Sequence, residues 1–499
     1  MDLFSALSLG FGAALQPVSL LYCFIGVLCG TLVGVLPGIG PMATIAMLLP
    51  VTFGLDATSA LIMLAGIYYG AQYGGSTSAV LVNLPGETSS VVTCLDGYKM
   101  ARQGRAGAAL GIAAIGSFAA GCFGTALIAL FAPPLAQLAI QFGPAEYCAL
   151  MVLGLIAAVV MAQGSLLKAI AMIVLGLLFG TAGTDVNSGY QRFTFGLPEL
   201  AEGVDFVVLA IGLFGLAEIM VNVESKEKRT VLVNPVKSVL PTRADLRQSA
   251  MPILRGTMLG SVLGVLPGGG ALLSSFASYT LEKNLARDPS RFGNGAIEGV
   301  AGPEAANNAG AQTSFIPMLT LGLPSNGVMA LMIGAMIMQG IVPGPQVVSD
   351  QPRLFWGMIA SMWVGNLMLV VLNLPLIGLW VKMLSLPYRM LSPAILLFSC
   401  IGVYTLSSQP FDLILTALFG FVGYVFIKLG CEAAPLLLGF VLGPMIEENL
   451  RRAMLMSRGD PIIFLERPIS LGLLLLAVAL LVAVLLPSVR KTREEAFQE

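Results

Sequence analysis

A helix-breaking motif occurs twice in this chain, and both copies lie inside apolar sequence. The first copy reads Gly34-Val-Leu-Pro-Gly-Ile-Gly-Pro41 and the second reads Gly264-Val-Leu-Pro-Gly-Gly-Gly270. Proline and glycine interrupt helices, and an interrupted helix at membrane depth is tolerated only where it is buried in protein or lines a cavity. Two such breaks at corresponding places in two halves of a membrane protein indicate the substrate site of a transporter.

The composition of the chain places it in a lipid bilayer. Apolar residues make up 57% of the sequence and charged residues 11%, whereas a soluble domain carries about 25% charged residues. The backbone must satisfy its own hydrogen bonds in lipid. The long apolar runs therefore predict an all-α polytopic membrane protein with about 10–12 transmembrane segments.

The residue types also limit the chemistry that the chain can perform. It has no histidine, which excludes histidine-based metal sites and Ser–His or Cys–His nucleophiles. The seven cysteines are scattered through apolar sequence, a pattern typical of small buried side chains rather than of disulfides or metal ligands. The absence of a long basic run argues against nucleic-acid binding. We expect neither an enzyme nor a structural metal or cofactor.

Lysine and arginine predict the topology, because they concentrate in cytoplasmic loops. The first cation of the chain is Lys99, so the loops before it are expected outside the cytoplasm. Two basic loops, at residues 99–105 and 223–251, are expected inside. The second loop is a linker between two repeat halves, residues 1–222 and 252–499. The N-terminus is then outside, and the basic C-terminal tail is cytoplasmic.

Apolar runs predict the remaining crossings. Between the two basic loops they lie at residues 107–131, 145–162, 165–182 and 203–222. In the second half they lie near residues 354–373, 391–407, 411–430, 433–446 and 469–487. The segment Glu447–Arg467 conflicts with this count, because it carries four arginines and yet falls outside.

Each copy of the motif is expected at the tip of a re-entrant hairpin. The first hairpin covers residues 20–50, with its tip near 37–41, and is flanked by cation-free sequence. The second covers residues 252–281, with its tip near 267–270, and leaves into a basic segment that begins at Lys283. The first hairpin then enters from outside and the second from inside. This arrangement is an inverted-topology repeat.

A second breaker-rich segment follows each hairpin, at residues 68–90 and 303–330. In both segments glutamine with serine or threonine precedes a Leu-Pro turn, which begins at Asn83 in the first and at Gly322 in the second. We interpret each segment as a broken helix, a discontinuous crossing with an unwound centre.

Broken helices expose free N–H groups, which suit a carboxylate, and free carbonyl groups, which suit Na⁺. The substrate-binding candidates are the motif residues and the polar residues near the breaks: Pro37, Gly38, Gly40, Gln72, Ser76, Thr77, Asn83, Pro267, Gly268, Gly269, Asn307, Asn308, Gln312, Thr313, Ser325 and Asn326. The coupling-ion candidates are Gly38, Thr44, Ser78, Glu87, Gly268, Ser274 and Glu304. The alternative role for a single hydroxyl or amide is an interhelical hydrogen bond, and for the two glutamates a helix cap.

These segments together resemble the large membrane subunit of the tripartite tricarboxylate transporter family, the TctA-type protein. The resemblance covers nearly the whole chain and is carried by residues 34–41, 70–87, 264–270 and 303–326. It implies a bacterial inner-membrane secondary transporter that takes up citrate or another carboxylate with Na⁺ or H⁺. It also implies two partners, a small TctB-type membrane subunit and a periplasmic TctC-type solute-binding protein. Whether the permease forms a homodimer is left open.

Other functions compete with ion-coupled uptake. A carboxylate transporter could work without a binding protein, and an anion channel could also use broken helices. A structural membrane scaffold is a further alternative. An intramembrane enzyme is disfavoured, because the chain offers no nucleophile with an evident base.

Overall fold

The computed structural model describes residues 2–36, 40–162, 165–185, 187–224, 239–266, 270–384 and 388–485. Helices make up nearly all of this part of the chain, and its two strands, β1 (Gly183–Thr184) and β2 (Gln191–Arg192), form a short antiparallel pair. Five described helices are long and apolar enough to cross a membrane, and six more are apolar but shorter. The predicted all-α polytopic membrane fold is confirmed.

The described residues of the first half form ten α-helices. They are α1 (Leu3–Ala14), α2 (Pro17–Val35), α3 (Pro41–Thr52), α4 (Ala57–Val82), α5 (Val91–Thr93), α6 (Ala106–Ala139), α7 (Pro144–Met161), α8 (Leu166–Gly180), α9 (Phe206–Ala210) and α10 (Ala217–Glu224). Short 3₁₀ helices lie at Thr88–Ser90 and Pro198–Leu200, and π-helical turns at Cys94–Tyr98, Ala101–Arg105 and Ile211–Leu216. Proline at the first position of α2, α3 and α7 has no N–H to leave unpaired, which favours a helix start there.

The second half of the chain contains thirteen described α-helices. They are α11 (Arg243–Val265), α12 (Gly270–Leu285), α13 (Glu298–Thr313), α14 (Phe315–Leu321), α15 (Gly327–Met338), α16 (Gln346–Asp350), α17 (Pro352–Asn373), α18 (Ile377–Leu384), α19 (Tyr388–Ser407), α20 (Pro410–Lys428), α21 (Ala433–Met456), α22 (Ile463–Glu466) and α23 (Pro468–Leu485). A 3₁₀ helix lies at Pro289–Arg291. Each crossing predicted from residue 107 onward overlaps a helix.

Glycines at four-residue spacing bring two pairs of helices into backbone contact. On α2, Gly26, Gly30 and Gly34 face the backbone carbonyls of Met63, Ile67 and Ala71 on α4. On α11, Gly256, Gly260 and Gly264 face those of Gly302, Ala306 and Gly310 on α13. A Cβ at any of the six glycines would lie only 2.2–2.4 Å from the facing oxygen. Small residues at this spacing are what allow membrane helices to approach so closely.

The order of these contacts fixes the helix directions. Residue numbers rise together along α2 and α4, and again along α11 and α13, so each pair is parallel. The chain must turn back between the members of a parallel pair, and α3 and α12 make these returns. Ser274 lies against Gly310 and Glu282 against Gly302, which makes α12 antiparallel to α13. The chain therefore reverses between α2 and α3 and again between α11 and α12.

The two hairpins also point in opposite directions. Contacts between α4 and the run of α13 and α14 occur in reverse order. The Tyr68 ring lies 6.2 Å from the Phe315 ring of α14, and Ser76, about two turns further along α4, binds Glu304 of α13. Because α4 is antiparallel to α13, their parallel partners α2 and α11 are antiparallel as well. The fold thus contains the inverted repeat that the placement of cations predicted.

The break in each of the two breaker-rich segments lies at the Leu-Pro turn. Residues 68–78 belong to the uninterrupted helix α4, and residues 303–313 belong to α13. Ser314 keeps a helical backbone and leads into α14. The chain leaves the helix at Asn83–Glu87 and at Gly322–Asn326, the Leu-Pro turns. The glycines and hydroxyls that precede each turn are therefore part of a continuous helix.

The two halves interlock through helices of both. Helix α13 packs on α6, α17 packs on α1 and α4, and α21 packs on α8. Asp96 ties the halves together, because its fully buried carboxylate accepts the N–H groups of Gly295 and Ala296 (2.7 and 2.8 Å) and the hydroxyl of Tyr279. The seven cysteines are free, as predicted.

Two of the four arginines of the segment Glu447–Arg467 pair with carboxylates elsewhere in the chain. Arg451 binds Asp185 and Glu447, and Arg467 reaches Glu146 at the start of α7. Arg192 also binds Glu447. The segment therefore lies at the same end of the molecule as the loops before α7 and after α8, which the cation rule predicts outside.

Candidate functional site

The two breaks occupy equivalent places in the repeat. Each begins with a residue in the left-handed region, Asn83 (φ 59°) and Gly322 (φ 69°), 239 positions apart (322 − 83). The last residues of the two breaks, Glu87 and Asn326, are also 239 positions apart (326 − 87), and each is the N-cap residue of the next helix. Glu87 caps the 3₁₀ helix Thr88–Ser90, and Asn326 Oδ1 accepts the Met329 N–H at 3.0 Å.

The carboxylate of Glu87 joins the two halves. Its Oε1 accepts hydrogen bonds from the Ser89 hydroxyl and, at 3.4 Å, from Asn307 Nδ2 on α13. The Ser89 hydroxyl also lies 3.0 Å from Gln72 Oε1 on α4. Glu87 thus lies in a buried chain of polar side chains that reaches from one half to the other.

The carboxylate of Glu304 makes the second connection between the halves. Its Oε2 accepts the Ser76 hydroxyl of α4 at 2.5 Å, and its Oε1 accepts the Thr93 hydroxyl of α5. Glu304 and Ser76 are both buried. The ion pairs formed between described residues include neither Glu304 nor Glu87. Two buried carboxylates therefore lie in this site without an arginine or a lysine.

The flanks of both hairpin tips reach the second break. Gly270, the first residue of α12, packs on Asn326, since a Cβ there would lie 3.3 Å from Asn326 Nδ2. Met42, in the first turn of α3, packs on Gly327, where a Cβ would lie 2.5 Å from the Met42 sulfur. Gly270 and Met42, which follow the two tips, therefore contact the same helix start. Pro37, Gly38, Pro267, Gly268 and Gly269 themselves lie outside the described residues.

Matching hydroxyls follow the two tips. Thr44 donates to the Gly40 carbonyl at 3.0 Å, and Ser274 donates to the Gly270 carbonyl at 2.6 Å. Both bonds span four residues at the start of a helix, so they are equivalent under the 230-residue offset. These bonds leave the hydroxyl oxygens as acceptors, which is what a cation at the tip would require.

Buried amide atoms on α13 lack partners in the described part of the chain. They are Asn307 Oδ1, Asn308 Oδ1 and both amide atoms of Gln312. Asn308 Nδ2 binds Ser117 of α6 at 2.7 Å, so its oxygen is directed elsewhere. An unpaired buried polar atom costs about 1–3 kcal/mol. Such a row of unpaired amides favours a site in which a polar ligand, an ion or water completes the hydrogen bonds.

A cavity touches this site beside Ser76. It holds about 20 Å³ and is lined by side chains that include Tyr73, Thr77 and Ser117. This volume accommodates about one water molecule, whereas pockets for organic ligands are typically several hundred Å³. The cavity in this conformation admits water but no dicarboxylate, so a substrate must open the site to enter it.

The structure brings most of the sequence-predicted candidates together. Gln72, Ser76, Thr77, Glu87, Glu304, Asn307, Asn308 and Gln312 line one buried region, and Gly40, Thr44, Ser274, Ser325 and Asn326 lie at the tips and the second break. Three candidates serve the scaffold instead. Asn83 is exposed and ends α4, Ser78 binds the Gly34 carbonyl of α2, and Thr313 packs against Gly264.

Sequence reasoning did not select Ser89, Thr93 and Glu218. The first two supply hydroxyls to the site carboxylates. Ser89 follows Glu87 by two residues, which was a usable signal, but nothing in the sequence ties Thr93 to Glu304. Glu218 Oε1 accepts the Gly40 N–H at 3.2 Å. A single acid in an otherwise apolar run was the signal for Glu218.

Comparison with known proteins identifies similar sequences. The family model described as the tripartite tricarboxylate transporter TctA family matches residues 20–438. The chain is 61% identical over 499 residues to an Agrobacterium vitis protein named "Uncharacterized 52.8 kDa protein in TAR-I ttuC' 3'region", covering 100% of this chain and 99% of that protein. It is 63% identical over 240 residues, 48% of its length, to another A. vitis protein, "Uncharacterized protein in TAR-II ttuC' 3'region", of which 99% is covered. No solved structure matches.

Proposed function

Because this chain belongs to the tripartite tricarboxylate transporter TctA family, we propose that it is the permease subunit for ion-coupled uptake of a di- or tricarboxylate resembling citrate. The protein is a multi-pass membrane protein of a transporter family. The proposal adds the substrate class, Na⁺ or H⁺ as the coupling ion, and the absence of a catalytic step. It also adds the bacterial inner membrane, with the N-terminus in the periplasm and the C-terminus in the cytoplasm.

The observation that carries this proposal is the pair of carboxylates without cationic partners. Glu87 and Glu304 lie where the halves meet, and each binds hydroxyl or amide groups. An anionic substrate about 5 Å from one ionised carboxylate would be repelled by about 3 kcal/mol at an effective dielectric constant of 20. A bound Na⁺ or a proton removes that repulsion. Substrate binding then requires the coupling ion, which is the thermodynamic basis of symport.

The opposed hairpins support alternating access. Each tip reaches the second break from a different direction, so separating one tip from Asn326–Gly327 would open the site from one side only. In transporters with inverted repeats, one repeat or bundle moves against the other around a fixed site. We propose that the hairpins are the moving parts and that the structure has the site closed on both sides.

The family also supports two partners. We propose that a small TctB-type membrane subunit and a periplasmic TctC-type solute-binding protein complete the transporter. The loops that we place outside are ordered by ion pairs, including Arg451 with Asp185 and Arg467 with Glu146. A rigid outer face suits the docking of a soluble protein that delivers substrate, because little loop entropy is lost on binding.

The test is carboxylate transport by the reconstituted three-component complex in proteoliposomes. Di- and tricarboxylates are offered with a Na⁺ gradient, with a pH gradient, and with neither. We expect uphill uptake of at least one carboxylate that requires one of the gradients. Counterflow without a gradient distinguishes a carrier, which exchanges substrate, from an anion channel, and omission of the binding protein tests the transporter that needs none.

A matched pair of serine variants assigns the site. Ser76→Ala removes a hydroxyl from Glu304, while Ser470→Ala removes a buried hydroxyl of α23 that has no partner among the described residues. A hydrogen bond to a charged group is worth about 1.5–3 kcal/mol and stabilises the ionised form of Glu304. Ser76→Ala should therefore change the apparent affinity for the coupling ion about tenfold or more, and should strengthen it where that ion is a proton. Equal affinity in the two variants would contradict the site assignment.

A further inference from the structure

Glu218 is an acidic residue within one of the membrane-spanning helices. It belongs to Phe206–Glu224, one of the five long apolar helices, and lies six residues before the end of that helix, about 9 Å at 1.5 Å per residue. A carboxylate at such a depth is costly and is usually retained for a function. The site formed by Glu87 and Glu304 does not use it.

The Glu218 carboxylate contacts the first hairpin tip. Its Oε1 accepts the backbone N–H of Gly40 at 3.2 Å, and Gly40 is the residue that begins α3 directly after the tip motif. In the described ranges of the chain this N–H is the one group that hydrogen-bonds the Glu218 side chain. Glu218 is partly exposed, and its other oxygen accepts no hydrogen bond from a described residue.

A π-helical turn positions Glu218 against the tip. The turn covers Ile211–Leu216, immediately before Glu218, in the middle of the span. Within it, Gly215 packs on Met47 of α3, where a Cβ would lie 3.1 Å from the Met47 side chain. Single π turns inside membrane and soluble helices occur frequently at functional sites, because the extra residue redirects the side chains that follow.

Other titratable groups lie on the helices that neighbour Glu218. On α20, Lys428 and Tyr424 both bind Glu224, at the end of the span. Asp412 lies near the opposite end of α20, and α19 carries Cys400 and Tyr404 among its described side chains. Helix α3 carries no titratable side chain. The ion pairs between described residues do not include Glu218.

We infer that Glu218 is a proton-binding site that couples protonation to the attachment of the first hairpin tip. Protonation forms an O–H bond on the free oxygen of Glu218, and the charge of the side chain changes from −1 to zero. Hydrogen bonds to an ionised group are roughly twice as strong as those between neutral groups. The Gly40 attachment therefore weakens when Glu218 binds a proton, and the tip is freed to move.

This inference rests on the proposed function only for its transport measurements. Infrared difference spectra of the reconstituted complex, between acidic and alkaline buffer, detect the C=O stretch of a protonated carboxyl directly. We expect a band that disappears in Glu218→Gln and remains in Glu224→Gln, the control on the same helix. Glu218→Asp should shift the band rather than remove it. A spectrum unchanged in both Glu218 variants would overturn the inference even if no carboxylate were transported.

The transport arm separates coupling from folding. Glutamine imitates the protonated, neutral form, so Glu218→Gln should keep counterflow but lose accumulation driven by a pH gradient. Glu224→Gln should keep both activities. Retention of pH-driven accumulation by Glu218→Gln would overturn the inference. The inference would also be overturned if Glu218→Gln lost counterflow while the infrared band of Glu218→Asp stayed at the wild-type position. Glu218 would then have a structural role.

Discussion

Replacing Gly30 or Gly260 with alanine tests the close helix contacts that hold the hairpins. A Cβ at Gly30 would lie 2.4 Å from the Ile67 carbonyl oxygen, and one at Gly260 would lie 2.2 Å from that of Ala306. An ordinary contact is at least 3.4 Å, so the helices must separate by about 1 Å at either position. The facing atom belongs to a helix backbone and cannot turn aside as a flexible side chain would.

The expected cost follows from two opposing terms. Overpacking a well-filled interior costs about 1–3 kcal/mol, and a rigid backbone contact favours the upper end. Alanine recovers up to about 1 kcal/mol of helix propensity relative to glycine. Gly12→Ala on α1 is the control, because a Cβ there meets nothing within 4 Å. The control gains the same helix propensity without the clash. The free energy of unfolding of each test variant should therefore be about 3 kcal/mol lower than that of the control.

Thermal unfolding in detergent measures this difference. For a chain of 499 residues, about 2.1 cal/mol/K per residue gives an unfolding entropy near 1 kcal/mol/K. A difference of 3 kcal/mol then corresponds to about 3 °C in Tm between test and control. The double variant Gly30→Ala/Gly260→Ala should show nearly the sum, since the two contacts lie in different helix pairs. If Gly30→Ala, Gly260→Ala and Gly12→Ala all had the same Tm, backbone contact would not be what holds the helix pairs together.

Two further predictions concern contacts outside the site. Asp96→Ala leaves the N–H groups of Gly295 and Ala296 without their acceptor. At about 1–3 kcal/mol per group, this should lower Tm by several degrees. The control Asp288→Ala, at an exposed turn, should leave Tm unchanged. The hydrogen bond from Arg451 holds the pKa of Asp185 well below its usual range. That stabilisation is complete above the unfolded pKa and is lost as pH falls, so proteolysis of the loop after α8 should begin at higher pH in Arg451→Met than in Arg452→Met.

The helices and the inverted repeat were predictable because they follow from strong local signals. Long apolar runs between charged loops identified each crossing from residue 107 onward, and the contrast between cation-free sequence and the basic segment after Lys283 gave the opposite directions of the hairpins. Both signals reflect the cost of placing charge in lipid. The contact of both α3 and α12 with Asn326–Gly327 was not predictable, since it depends on how these helices pack across the repeat.

The exact position of the break within each broken helix was not predictable from the density of glycine. Gly70 and Gly74 both face α2, where a Cβ would lie 2.7 Å from the Val27 carbonyl and 2.5 Å from the Thr31 carbonyl. Glycine in a membrane helix often serves close packing. The backbone within lipid also keeps its hydrogen bonds wherever it can. Helices α4 and α14 end instead at Asn83 and Gly322, whose backbones are left-handed, directly before the Leu-Pro turns.

The chemistry of the site breaks the symmetry of the scaffold. Under the 239-residue offset, Glu87 corresponds to Asn326 and Glu304 corresponds to Ala65, so each carboxylate has an uncharged counterpart. A scaffold of two inverted repeats would give inward-open and outward-open states of equal energy if its sequence were symmetric. Each carboxylate is present in only one of the two repeats. A cation or a proton that binds there can therefore favour one of the two states over the other. An ion can shift this equilibrium only by the difference in its affinity for the two states, and only asymmetric residues such as these provide one.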